Sequence, residues 1–346
     1  MAEAKTEKDA APILPVAPGP HIEAARTTRA VMLDVLIALA PAIGMGLYVF
    51  RGYAAMQIGV CVVSCVAFET IWQAARGRRQ TVGDLSAAVT GLILALSIPW
   101  TAPWYVGVIG SGVAILVAKM FFGGLGSNIF NPAMAGRAFL QACFAGEMTT
   151  YVLAGQGLPS QGPPGAVQAA VKAGAEVITQ ATPLAAGKFE QAAFALRHLA
   201  VGNVNGSIGE TSAIACLLGG LYLIVRRSAS WRVPVGMLAA AGVVAAIHQL
   251  ADPDAALKVG HHLLGGAMLF GAFFIATDPA TSPISNRGLW IYAVGIGVLV
   301  MLIRLFANVP EGVMYAVLVM NMTVPLIDRL TVPRPVGGPA PEAKPA

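Results

Sequence analysis

The chain has 346 residues, of which 56% are hydrophobic and 11% are charged, and its mean hydropathy is +0.70. This composition excludes an ordinary soluble globular domain and indicates a protein that crosses a membrane several times. The net charge of +5 does not indicate a nucleic-acid partner, because positive charge in membrane proteins accumulates in cytoplasmic loops.

The two ends of the chain, 1–25 and 331–346, are rich in Ala, Pro and charged residues and are predicted to be flexible cytoplasmic tails. Between them lie ten apolar runs, each long enough or nearly so to cross a hydrocarbon core of about 30 Å. They cover approximately 31–50, 54–75, 85–100, 104–122, 132–146, 211–225, 233–250, 260–276, 289–306 and 311–327. We therefore predict an all-α integral membrane protein with about ten transmembrane helices.

The basic residues orient these helices. With the N-terminus inside, sixteen of the 22 Lys and Arg residues fall on the cytoplasmic side and six on the other side, which is the asymmetry expected of membrane proteins. Both tails are then cytoplasmic. The chain divides into a first transmembrane half at 26–146, a long extracytoplasmic loop at 147–206 and a second transmembrane half at 207–330.

Two similar stretches suggest that the halves are related. "GGLGSNIFNPAMAGRAF" at 123–139 and "FFIATDPATSPISNRG" at 273–288 each follow an apolar run. Asn131 and Asp278 each precede a proline, which is a signal for the start of a helix. Such helix N-termini can line a ligand pocket, although ordinary loops explain both stretches equally well. The "NPA" tripeptide also raises the alternative of a channel or solute transporter with paired half-helices.

Several ionisable residues lie in or near the apolar runs, where a charge at depth is a functional candidate. For most of them, snorkelling to the interface is the simpler explanation. They are Asp34, Glu69, Asp84, Lys119, His248, His261, His262, Asp278 and Arg304. Glu69 is the strongest candidate for an ion path because it lies farthest inside its run.

Ser207 and Glu210 have the S-x-x-E spacing of a capping box, which gives Glu210 a structural role at a helix start. Glu210 could also lie near a cofactor. The four cysteines, none in a C-x-x-C pair, are interpreted as packing residues in preference to ligands of an iron–sulfur cluster.

Six segments together resemble one family, the D subunit of the Rnf complex, which is the ion-translocating ferredoxin:NAD oxidoreductase. This family is homologous to the B subunit of the sodium-translocating NADH:quinone oxidoreductase. A B-type subunit of that enzyme is therefore the alternative interpretation of this chain. The resemblance runs from about residue 21 to 330. The segments are "RTTRAVMLDVLIALAPA" (26–42), "GDLSAAVTGLILALSIP" (83–99), "FFGGLGSNIFNPAMAGRAFL" (121–140), "TQATPL" (179–184), "GSIGETSAIACLLGGLYLI" (206–224) and "ATDPATSPIS" (276–285).

The resemblance implies FMN that is joined through its phosphate to the hydroxyl of Thr182. Such a threonine must be reachable by a flavin transferase, so we expect it on an exposed segment. The other residues that match the attachment pattern are Glu176, Thr179 and Ala181, whereas Val177 and Gln180 stand at glycine positions of the pattern. Asn131 and Asp278 are implied as the lining of a pocket for a second, noncovalent riboflavin.

The resemblance further implies a bacterial inner-membrane complex in which electrons pass between ferredoxin and NAD, coupled to the movement of Na⁺ or H⁺. The partners would be iron–sulfur subunits and a second subunit that carries a covalent flavin. This chain would relay electrons within the complex and would not be catalytic alone.

Overall fold

The computed structural model describes residues 26–151, 182–190, 195–202, 204 and 206–332. These residues are mostly helical and contain no β-strand; one isolated β-bridge joins Pro99 to Ser207. Glu176, Thr179 and Ala181 lie outside the described residues. The prediction of a helical membrane protein is confirmed at this level, because the helices coincide in order with the predicted apolar runs.

The described helices differ widely in length, and two of them continue as π-helix. They are α1 (Thr28–Ala75), α2 (Ser86–Ser97), α3 (Trp104–Gly112, continued by Val113–Met120 as π-helix), α4 (Pro132–Cys143), α5 (Ala145–Thr149), α6 (Pro183–Phe189), α7 (Leu196–Val201), α8 (Ala213–Val225), α9 (Arg232–Ala251), α10 (Val259–Leu264), α11 (Met268–Phe270, continued by Gly271–Ile275 as π-helix), α12 (Asn286–Phe306) and α13 (Val313–Leu330).

Helix α1 contains the first two predicted runs. Its backbone leaves the helical conformation at Arg51, where φ is 53° and ψ is −133°. A positive φ is uncommon for any residue other than glycine. The break falls between the runs predicted at 31–50 and 54–75, so these runs are two helical arms that meet at Arg51.

Four described helices, α1, α9, α12 and α13, are long and apolar enough to cross a membrane. By contrast, α2 and α4 have 12 residues each and α8 has 13. At 1.5 Å per residue these are about 18 to 20 Å long, shorter than the hydrocarbon core. The predicted number of ten complete crossings is therefore not confirmed, because several runs form short helices that end inside the protein.

The end of α2 and the turn before α8 meet in the protein interior. The carbonyl of Ile98, just after α2, accepts a hydrogen bond from the backbone N–H of Ile208 at 3.4 Å. Gly209 is required at this crossing, since an added Cβ would lie 2.8 Å from the Cβ of Leu96. Segments far apart in sequence thus pack backbone against backbone in the interior.

The outer surfaces of the helices are apolar. Val225, Ile247 and Leu250 are 79%, 61% and 83% exposed. Such large apolar side chains are expected to face lipid, because soluble proteins rarely expose contiguous apolar surface.

The snorkelling interpretation is wrong for two of the basic residues. The Lys119 ammonium is buried and donates to Glu69 Oε2 and to Ser86 Oγ, both at 2.6 Å. The Arg304 guanidinium is also buried and donates to the carbonyls of His262 and Gly265 at 2.5 and 3.0 Å. Both charges have polar partners inside the protein, which removes the advantage of reaching the interface.

Candidate functional site

Thr182 lies immediately before α6 and caps it. Its Oγ1 accepts a hydrogen bond from the backbone N–H of Ala185 at 3.3 Å, and Pro183 occupies the first turn. Thr followed by Pro favours a helix start at this position. The residue is only 7% exposed, so the expectation of an exposed threonine is wrong. Capping and packing of α6 turn its hydroxyl toward the protein.

A cavity of about 350 Å³ borders Thr182. Its volume falls within the range of about 300–1,000 Å³ that is usual for small-molecule sites. The wall combines aromatic rings, amide groups and one pair of opposite charges. The lining residues include Arg137, Gln141, Tyr151, Ala185, Phe189, Asn308, Glu311 and Tyr315.

Arg137 connects this cavity to two buried carboxyl groups. Its Nη2 donates to Glu311 Oε2 at 3.0 Å, and its Nη1 lies 3.5 Å from Glu210 Oε1. All three side chains are largely buried. Arg137 lies on α4, Glu210 precedes α8 and Glu311 precedes α13, so the cluster joins the two predicted transmembrane halves. Thr182, Glu210 and Glu311 also line one small adjoining cavity.

The two carboxyl groups of this cluster are electrostatically different. Burial raises the pKa of Glu210 well above its usual value, and the neighbouring Glu311 carboxylate raises it further. Burial opposes ionisation of Glu311 as well, but the charge of Arg137 and a hydrogen bond from Glu210 lower the pKa of Glu311. Glu210 is therefore the member of the pair that holds a proton most tightly.

The predicted capping box at Ser207 and Glu210 is wrong. Residues Ile208–Glu210 form one turn of 3₁₀-helix, and α8 begins only at Ala213. Ser212 is its N-cap and accepts from the backbone N–H of Ala215 at 3.3 Å. The Glu210 side chain lies beside Arg137 instead, with Oε1 3.5 Å from the guanidinium group.

Asn131 and Asp278 come together as the sequence predicted for a shared pocket. Asn131 Nδ2 donates to Asp278 Oδ2 at 3.3 Å. With the Asn321 amide oriented so that its nitrogen donates to the Tyr292 hydroxyl, the Asn321 side-chain oxygen accepts from the backbone N–H of Asn131 at 3.0 Å. The cavity beside them has a volume of about 60 Å³ and is also lined by Lys119 and Thr90. This volume is well below that of usual small-molecule sites.

Asn131 and Asp278 have different local roles, although each precedes a proline. Asn131 is the N-cap of α4 and its Oδ1 accepts from the backbone N–H of Met134 at 3.2 Å, as predicted. No helix begins at Asp278. Its carboxylate instead closes a turn by accepting from the backbone N–H of Ala280 at 3.1 Å and from Thr281 Oγ1 at 3.2 Å. The next helix, α12, is capped by Ser285.

Arg137 and Glu311 are members of the site that the sequence patterns do not identify. Arg137 counts among the predicted cytoplasmic basic residues, and Glu311 lies at the start of the last apolar run. One signal in the sequence could have identified Arg137: it lies five residues inside an apolar run that starts at a helix cap. Such a buried charge requires a partner, but the sequence does not say which residue it is.

Taken together, the apolar exterior and the long apolar helices define a helical membrane protein. The family model described as the NQR2, RnfD, RnfE family matches residues 15–337, and the chain belongs to this family. The resemblance predicted from the sequence is confirmed.

Curated relatives match nearly the whole chain. The D subunit of the Na(+)-translocating ferredoxin:NAD(+) oxidoreductase complex of Acetobacterium woodii is 40% identical, over 94% of this chain and 95% of the relative. The D subunit of the ion-translocating oxidoreductase complex of Stutzerimonas stutzeri is 41% identical, over 89% and 91%. The D subunit of the proton-translocating ferredoxin:NAD(+) oxidoreductase complex of Clostridium ljungdahlii is 35% identical, over 96% and 98%.

Proposed function

We propose that this chain is the D subunit of an ion-translocating ferredoxin:NAD oxidoreductase complex in a bacterial inner membrane, and that it carries FMN esterified through its phosphate to Thr182. The names of the relatives support the first part. The observation that carries the second part is the position of Thr182 on the wall of a cavity of about 350 Å³. Relatives named for sodium and for protons are both similar to the chain, so the proposal covers either ion.

The residues around Thr182 fit a flavin. Arg137, Gln141 and Asn308 would offer donors to the phosphate or to the ring carbonyls, and Phe189 and Tyr315 would offer aromatic surfaces. Bound flavin supplies one-electron and two-electron redox chemistry, whereas the protein supplies position and electrostatics. In this role the chain relays electrons toward its partners, which include iron–sulfur subunits and a second covalent flavoprotein, and is not catalytic alone.

The burial of Thr182 bears on how the flavin is attached. Since the residue is 7% exposed, a transferase can reach its hydroxyl only while the segment around α6 is unpacked. We therefore place attachment before this segment packs against the helices. Packing would then enclose the ester.

A second, noncovalent riboflavin beside Asn131 and Asp278 has less support. The cavity there is about 60 Å³, so riboflavin would require the surrounding helices to separate. The channel alternative is also weakened, because Asp278 does not begin a second half-helix.

The test is in-gel fluorescence of the denatured protein after expression with its flavin transferase. Wild type and Thr149→Ala are expected to fluoresce, whereas Thr182→Ala is expected to be dark. Thr149 is the matched control because it lines the same cavity outside the attachment pattern. A dark wild-type band with an active transferase would refute the ester and favour the transporter. Quinone reduction by the assembled complex would favour the quinone-reductase alternative.

A further inference from the structure

A second group of cations lies around a different cavity, on the other side of α6 from the Thr182 hydroxyl. This cavity has a volume of about 190 Å³. Its polar lining comes from α6, from α9 and the segment after it, from α10 and from α12. The polar lining residues are Lys188, His248, Asp252, His262 and Arg304. We name it the Arg304 cavity.

Arg304 is a buried cation without a close counter-ion. It is 3% exposed, and no carboxylate of the described residues lies within 4 Å of it. Its terminal nitrogens donate to the carbonyls of His262 and Gly265, but its Nε has no partner among the described residues. Glu210 and Glu311 are near enough to act electrostatically, although both are committed to Arg137. A buried cation without a close counter-ion is costly even when carbonyl groups solvate it.

His262 adds two further unsatisfied atoms. It is 2% exposed, and neither of its ring nitrogens has a hydrogen-bond partner within the described part of the chain. The Nδ1 of His248 is in the same situation. Buried polar atoms in native proteins are nearly always hydrogen-bonded, so several unsatisfied atoms around one cavity indicate an occupant that bonds to them.

The positive charge of the residues that line the Arg304 cavity favours an anion as its occupant. Lys188 and Arg304 are cations, and the planar guanidinium group of Arg304 matches the oxygens of a tetrahedral oxyanion. The Lys188 ammonium donates to the carbonyls of Ala307 and Val309, which leaves one of its three donors for a ligand. Burial lowers the pKa of Lys188 from its usual value, and a bound anion would offset this shift. Asp252 opposes an anion, but it is exposed, so water screens its charge.

We propose that the Arg304 cavity binds a phosphate group, with Arg304 and Lys188 as the charged ligands and His262 and His248 as neutral donors, since each neutral imidazole offers one N–H. The source is either inorganic phosphate or the headgroup of a phospholipid. This site is separate from the proposed flavin ester, because Thr182 does not line the cavity. The proposal therefore stands even if no flavin is attached to Thr182.

Inorganic phosphate is titrated calorimetrically into the delipidated full-length chain in detergent, and thermal unfolding is followed in parallel. We expect saturable binding in wild type and a loss of affinity of at least tenfold in Arg304→Gln, as for the loss of a charged hydrogen-bonding group. His262→Leu, which keeps the backbone carbonyl that holds Arg304, is expected to weaken binding about tenfold or less. Arg197→Gln removes an exposed charge on α7 and is expected to bind as wild type does.

Native mass spectrometry before delipidation separates the two sources of phosphate. A phospholipid that stays bound in wild type and Arg197→Gln but is retained less in His262→Leu and least in Arg304→Gln would assign the site to a headgroup. Saturable phosphate binding without a retained lipid would assign it to the free anion. The proposal is overturned if wild type neither binds phosphate nor retains a lipid, or if His262→Leu and a folded Arg304→Gln behave as wild type does. Water alone would then fill the cavity.

Discussion

Glu69 and Lys119 form an ion pair whose side chains are 0% and 2% exposed. Thr81 Oγ1 donates to Glu69 Oε1 at 2.5 Å, and Ser86 Oγ accepts from the Lys119 ammonium at 2.6 Å. The pair joins the second arm of α1 to α3 and the start of α2. The two charged groups thus satisfy each other and two neighbouring hydroxyl groups inside the protein.

Removal of one member should therefore leave an uncompensated buried charge. We expect Lys119→Met to destabilise the protein by about 3–5 kcal/mol and the double variant Glu69→Gln, Lys119→Met to recover part of this loss. Thermal unfolding in detergent measures both. Arg79→Met, which removes an exposed charge nearby, should have little effect. A double variant that is less stable than Lys119→Met would contradict this explanation.

The Glu210 and Glu311 pair gives a pH dependence of definite sign. The pKa of Glu210 is raised in the folded protein by burial and by Glu311, so the folded state binds more protons than the unfolded state above about pH 4.5, the usual Glu value. Stability from this group is complete below that pH and falls as pH rises toward the folded pKa. The lowered pKa of Glu311 acts in the opposite direction, but only below the usual value.

The melting temperature of wild type should therefore decrease between about pH 5 and the folded pKa of Glu210, and Glu210→Gln should flatten this decrease. Differential scanning fluorimetry at a series of pH values measures the slope. Glu190→Gln, at an exposed glutamate after α6, is expected to keep the wild-type slope. If Glu210→Gln also kept the wild-type slope, a group other than Glu210 would cause the pH dependence.

At the scale of elements, the helix starts show what a local pattern can and cannot determine. The prediction at Asn131 is correct because its cap and proline are adjacent in the sequence and the partner N–H is three residues away. The same pattern at Asp278 gives a turn, since the carboxylate can also bond to Ala280 and Thr281. The Arg137–Glu311 contact spans 174 positions and could not be read from spacing. By contrast, the prediction that the chain is a membrane protein needs only the amino-acid composition.

The contact between Asn131 and Asp278 makes these two elements depend on each other. A double-mutant cycle of Asn131→Ala and Asp278→Ala should give a coupling of about 0.5–1.5 kcal/mol, the usual net contribution of one hydrogen bond. Asn131→Ala alone should destabilise the protein by about 1 kcal/mol beyond this coupling, because the substitution also removes the N-cap of α4. Thermal unfolding of the four proteins tests this. Additive effects would show that the two turns are independent.

For the whole molecule, the structure changes the charge count on which the predicted orientation depends. Lys119 and Arg137 are buried ion-pair partners, and Arg304 is buried as well, so none of the three orients a loop. Removing two residues from one side's sixteen and one from the other's six leaves a clear excess of basic residues on the side of the N-terminus. The excess lies in clusters such as "RGRR" at 76–79 and "RRSASWR" at 226–232, which are the kind of short-loop charge that sets orientation.

This excess predicts which side of the membrane each segment faces. In a variant whose four cysteines are replaced, Lys172→Cys should react with a membrane-impermeant maleimide in intact spheroplasts, whereas Lys344→Cys should react only after lysis. Arg78→Cys tests a cytoplasmic loop and should follow Lys344→Cys. If Lys172→Cys reacted only after lysis, the orientation of the chain would be opposite to the one predicted. It would also place Thr182 and the Arg304 cavity on the cytoplasmic side, where a flavin at Thr182 would face ferredoxin and NAD directly.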